Sequence, residues 1–69
     1  MEALQISLAA ARVNANLTQA DVAGILRVSK TTVNNWERGK SSPSFATLNT
    51  LAGIYKIPVE YIFLQKEST

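Results

Sequence analysis

Five polar side chains between residues 30 and 38 fall on one side of a helix. Placed at 100° per residue, Lys30, Thr31, Asn34, Asn35 and Arg38 occupy an arc of about 140°. Thr32, Val33 and Trp36 take the opposite side. The polar arc offers amides, a hydroxyl and cations, which suits hydrogen bonding to the edges of flat ligands. An Asn amide can pair with adenine N6 and N7, a Lys can donate to guanine O6 and N7, and a Thr methyl can touch a thymine methyl. One bidentate contact of that kind discriminates by roughly 1–3 kcal/mol. Polar helix faces are often only solvated surface. Two features argue for more than that here. The face lacks the Glu and Lys i,i+4 pairs that commonly decorate exposed helices, and it spends two adjacent Asn, poor helix formers, where no local need is visible.

Covalent and metal chemistry find little support. The 69 residues contain no Cys and no His, which excludes disulfides, thiolate zinc sites and Cys or His catalysis. The five acids, Glu2, Asp21, Glu37, Glu60 and Glu67, are scattered. No general base, nucleophile constellation or phosphate-cradling Gly loop is evident, which argues against an enzyme. No metal and no cofactor is expected. Asn16-Leu17-Thr18 matches a glycosylation acceptor in form, but nothing else suggests secretion. No apolar run approaches the roughly 20 residues needed to span a bilayer. A cytoplasmic protein is the expectation.

Charge sharpens the picture. The net charge of +2 permits a nucleic-acid partner without requiring one. Placement says more than the total: Arg27, Lys30, Arg38 and Lys40 crowd into a stretch whose one acid is Glu37. Arg12, Lys40, Ser41 and Ser42 can reach flanking phosphates, or serve as plain surface. Gln19, at the start of a helix whose dipole and free N–H groups attract phosphate, can bond phosphate and also brace a side chain of the polar helix.

The elements that must hold this face follow from caps and periodicity. With an apolar fraction of 46% the chain can bury a core, and its length allows one domain. The spacing predicts an all-α, compact five-helix domain over residues 1–69, with its core in 4–64 and a frayed tail over 65–69. The first helix spans about 2–14, with Leu4, Leu8 and Ala11 on one stripe and Ile6, Ala9, Ala10 and Val13 on a second, to be wrapped by the last helix or used for association. The second starts at Thr18, where Thr18 and Asp21 match a capping box, and turns Val22, Ala23 and Leu26 inward. The third starts after Ser29 and ends before Gly39. Ser44 can cap the fourth, whose stripe is Leu48, Leu51, Ala52 and Tyr55. Pro58 opens a short fifth helix with Val59, Ile62 and Phe63 inward, which leaves Tyr61 and Leu64 facing out as candidate dimer-interface residues.

Helices two and three, so read, form a helix-turn-helix, a device that places its second helix in the major groove of DNA. Residues 4–63 resemble the DNA-binding domain shared by lambdoid phage repressors, Cro proteins and the broad xenobiotic-response-element class of bacterial regulators. The motifs are LTQADVA, VSKTTVNNWERGK and PSFATLNTLAGIYKI. The W-E-x-G-K-x-x-P-S segment followed by L-x-x-L-A is specific when it stands in register with L-T-Q. The resemblance implies a lambda-repressor-like fold in which Lys30, Thr31 and Asn35 reach base edges with Asn34 as helper. It further implies that Gln19 bonds phosphate, that Arg12 and Glu37 form a salt bridge between helices one and three, and that Trp36 is a core anchor. Arg27, Ser29, Arg38, Lys40 and Ser42 complete the expected phosphate contacts. Two positions depart from the pattern: Arg27 stands where the turn usually has Gly, and Pro58 where a Ser-like cap is common.

The function this implies is sequence-specific binding of double-stranded DNA by a transcriptional regulator, expected to be a repressor; a phage or prophage regulator, a restriction-modification controller and an antitoxin acting on its own promoter all fit this pattern. A homodimer on a palindromic operator is expected, because one monomer presents few base contacts and a two-fold pair reads two half-sites about one helical turn apart. The alternative is a protein-binding module or antitoxin on the same fold, with weak or auxiliary DNA binding.

Overall fold

The computed structural model describes residues 5–65. Among these, four α-helices carry the fold: α1 (Leu8–Asn14), α2 (Gln19–Leu26), α3 (Lys30–Arg38) and α4 (Phe45–Tyr55). Three of them begin as their caps dictate. Thr18, Ser29 and Ser44 are extended at φ −88°, −77° and −63°, and each side chain accepts a hydrogen bond from the backbone N–H three residues on. At Thr18 the capping box is complete, since its own N–H donates to Asp21 Oδ2 (2.9 Å).

Both ends of the domain depart from the five-helix expectation. Helix α1 starts at Leu8, because Ser7 is its N-cap and accepts from the Ala10 N–H (3.1 Å). Ile6 and Ser7 instead form a short strand, β1. After Ile57 the chain makes a single 3-10 turn, Val59–Tyr61, and then a second short strand, β2 (Ile62–Phe63). The two strands pair in parallel, Ile6 opposite Ile62 and Ser7 opposite Phe63. Pro58 sits at the cap of the 3-10 turn, one place earlier than a first helical position, and provides no side-chain cap bond. The period therefore changes from the 3 of the 3-10 turn to the 2 of a strand at residue 62. Ile62 and Leu64 pack on the core, whereas Phe63 is 38% exposed. The helical wheel had Phe63 inward and Leu64 outward; strand alternation reverses both. The second stripe of helix one is not wrapped by a last helix: Ala10 and Val13 are exposed, and Ile6 belongs to the strand. Leu4 and the tail beyond residue 65 lie outside the described residues.

The buried core consists of Leu8, Ala11, Val22, Ala23, Val33, Leu51, Ala52 and Tyr55. Val22, Val33 and Leu51, one from each of α2, α3 and α4, are its largest fully buried side chains. Packing density in such interiors is crystal-like, so these three fix how the helices sit against one another. Trp36 is half-buried at the margin of this cluster, with Leu17, Leu26, Val28 and Leu48. The most extensive pairing of elements is that of α2 with α3.

Candidate nucleic-acid interface

The turn between α2 and α3 is set by one residue. Arg27 lies in the left-handed region at φ 59°, ψ 45°, and its N–H returns to the Ala23 carbonyl that ends α2. The Val28 N–H donates to the same carbonyl (3.0 Å). The positive φ that glycine would take freely is thus retained with a side chain, at a cost of about 1 kcal/mol. Two residues later Ser29 starts α3; its Oγ accepts from the Thr32 N–H (3.0 Å) and lies 2.8 Å from Thr32 Oγ1. The Ser29 hydroxyl is therefore engaged within the helix start. At the far end Gly39 takes φ 83°, and the Lys40 N–H closes onto the Asn35 carbonyl (2.9 Å).

The outward side of α3 holds the side chains singled out by the wheel. Lys30, Thr31 and Arg38 are exposed, and Asn34 and Asn35 are half-buried. Val33 is buried on the other side. Arg27, Lys40, Ser41 and Ser42 are exposed on the flanking turns. No side-chain hydrogen bond within the described residues engages Lys30, Thr31, Asn35, Arg38 or Lys40, so their polar groups remain available.

Behind this face runs a polar network through three helices. Arg12 of α1 donates from Nε to Glu37 Oε2 (2.7 Å), from Nη2 to Glu37 Oε1 (3.3 Å) and from Nη1 to the Leu17 carbonyl (2.8 Å). The Arg12 and Glu37 side chains are only 15% and 6% exposed. The hydrogen bond that Arg12 donates to Glu37 raises the Arg12 pKa further, against the opposing effect of burial. Gln19 joins them: its Nε2 donates to Glu37 Oε1 (2.9 Å) and to Asn34 Oδ1 (3.2 Å). Both amide hydrogens of Gln19 are committed to α3, which leaves that side chain no donor for a phosphate. The bracing of α3 by Gln19 is present. Its side-chain phosphate contact, expected from the resemblance, is not compatible with this arrangement, because the remaining oxygen can only accept.

Among the described residues no group of three or more His, Cys, Asp or Glu is placed to hold a metal ion, and no helix is long and apolar enough to cross a membrane. Tyr61 is 39% exposed beside Gln5, Ile6 and Ile57, in a shallow apolar cleft next to the strand pair. Leu64, the other expected interface residue, packs against the core, while Phe63 is the neighbour that projects.

No match is found among curated proteins or solved structures. The helix-turn-helix family model matches residues 8–62, a span that runs from the first residue of α1 to β2 and takes in the whole arrangement just described. With its capped α2, left-handed turn and polar-faced α3, the chain belongs to the helix-turn-helix family of Cro/CI-like, XRE-type DNA-binding regulators.

Proposed function

We propose that the domain represses transcription by binding a palindromic operator as a two-fold dimer, with α3 lying in the major groove. The observation that carries this reading is the outward face of α3, where Lys30, Thr31, Asn34 and Asn35 stand with unspent donors beside a braced helix. Lys30, Thr31 and Asn35 read base edges, with Asn34 alongside. Arg27, Arg38, Lys40 and Ser42, on the exposed flanks, contact phosphates and fix register. At the start of α2 the phosphate contact falls to the backbone N–H groups of its first turn, since the Gln19 amide is occupied, and Ser29 contributes its position at the start of α3 in the same way. Repression needs only that the occupied site be closed to other proteins. Tyr61 and Phe63, both exposed and on either side of Ile62 in the chain, are the apolar groups we assign to the dimer contact.

Selection of bound sequences from random duplex DNA tests the reading. A palindromic consensus with half-sites about one helical turn apart is the expected result. A consensus without two-fold symmetry removes the dimer. Absence of any enrichment removes sequence-specific binding.

A further inference from the structure

The orientation of the Asn34 amide is decided by charge, two residues away in the network. Arg12 has donors only and stays protonated, so it demands an acceptor. The paired Glu37 carboxylate accepts only. The Gln19 atom 2.9 Å from Glu37 Oε1 must therefore be the amide nitrogen. That nitrogen has a second hydrogen, which requires an acceptor at the next contact, Asn34 Oδ1 at 3.2 Å. An amide's oxygen and nitrogen are alike in shape, and hydrogen-bond partners distinguish them. Here the chain of partners runs unbroken from the ion pair to the α3 face. It leaves the Asn34 NH2 turned away from Gln19, without a partner among the described residues. No buried side-chain nitrogen or oxygen lacks a partner there, so this NH2 group is at the surface.

Resting on the DNA-binding reading above, we propose that Gln19, by holding the Asn34 oxygen, presents the Asn34 NH2 group as the reading end of that amide, which selects guanine. Guanine offers two adjacent acceptors, N7 and O6, in the major groove, and a single NH2 can serve both. Adenine offers one acceptor beside an N6–H2 donor, so pairing with it asks Asn34 Oδ1 to accept a second hydrogen bond in the plane of the base while Gln19 holds that oxygen. Asn35, with no side-chain partner, keeps both halves of its amide and is free to pair with adenine. Gln19 is thus a positioning residue: it sets base preference without touching the base.

Selected sequences for the wild type and for Asn34→Ala identify the base pair whose preference depends on Asn34. Guanine is expected there in the wild type. Gln19→Met keeps the length of the side chain, removes its hydrogen bonds and leaves Arg12 and Glu37 paired. Its guanine-over-adenine ratio at that pair should fall about tenfold, as for loss of one directed contact, with preferences elsewhere unchanged. Gln19→Ala removes the same donor and serves if Gln19→Met does not fold. Adenine at that pair in the wild type, no pair that depends on Asn34, or an even loss of affinity for all sequences with Gln19→Met each overturn the proposal while leaving DNA recognition intact. A wild type that enriches no sequence overturns both.

Discussion

Arg12 and Glu37 meet at 2.7 Å, and through this contact the first helix of the domain is tied to α3, the helix with the polar outward face. Both side chains are largely withdrawn from water. Arg12→Met or Glu37→Leu leaves the partner's charge without compensation, and each should cost about 3–5 kcal/mol. Replacing both together with apolar residues should recover much of that loss. Urea denaturation of the two single variants and the double variant checks this. Additive losses in the double variant would show that the two residues do not act as a pair.

Asn35 and Lys40 should separate base reading from charge attraction. Asn35→Ala is expected to weaken the best operator by about 1–3 kcal/mol while leaving random DNA nearly unaffected. Lys40→Ala should weaken both alike and lower the slope of log K against log salt by about one unit. Titrations at several salt concentrations distinguish the two. An equal loss on operator and random DNA for Asn35→Ala would refute its base-reading role.

At Arg27 stability and binding should move in opposite directions. Arg27→Gly relieves the left-handed strain, and with the flexibility of glycine offsetting most of the gain it should stabilise the domain by no more than about 0.5 kcal/mol. The same change removes a cation from the turn we assign to phosphate contact and should lower the salt slope by about one unit. A variant with unchanged slope would take Arg27 off the DNA.

Gly24 and Gly53 lie inside α2 and α4, and a Cβ at either would meet nothing within 4 Å. Alanine at each should therefore stabilise its helix by about 1 kcal/mol. For a domain of this size that raises Tm by about 4–8 °C per site. A fall in Tm at either position would mean that the site is more crowded than the geometry indicates.

Burial pushes the Tyr55 phenol from its ordinary 10.0 up to about 12; repulsion from Glu37 adds to the shift and attraction from Arg12 reduces it. A raised folded pKa stabilises fully below the unfolded value. That contribution is lost as pH climbs from about 10 to about 12. Tyr55→Phe cannot ionise, so its Tm should decline less than that of the wild type across this window. Parallel declines would show that the phenol titrates alike in the folded and unfolded chains.

The central helices were legible in the sequence because their signals are local. Thr18, Ser29 and Ser44 announce starts, Gly39 announces an end, and the stripes of α2 and α4 repeat often enough to fix a period. The arc on α3 could be drawn from the same information. The ends were not legible, because Ile6 and Ile62 become strand by meeting each other across most of the chain. Six residues, VEYIFL, are too few to tell a helical from an alternating pattern. Ser7 was the missed clue: a good cap directly before Leu8 marks where α1 begins. The resemblance supplied the Arg12–Glu37 pair. The occupied state of the Gln19 amide depends on how α2 crosses α3, which no spacing reveals.

The parallel pairing of Ile6 with Ile62 closes the domain into a ring. Trimming the chain through Ile6 should therefore loosen Ile62, the facing Tyr61 and Phe63, and whatever assembly they support, far away in sequence. A substitution at Ile6 is therefore an edit to the strand at Ile62 and Phe63 as well.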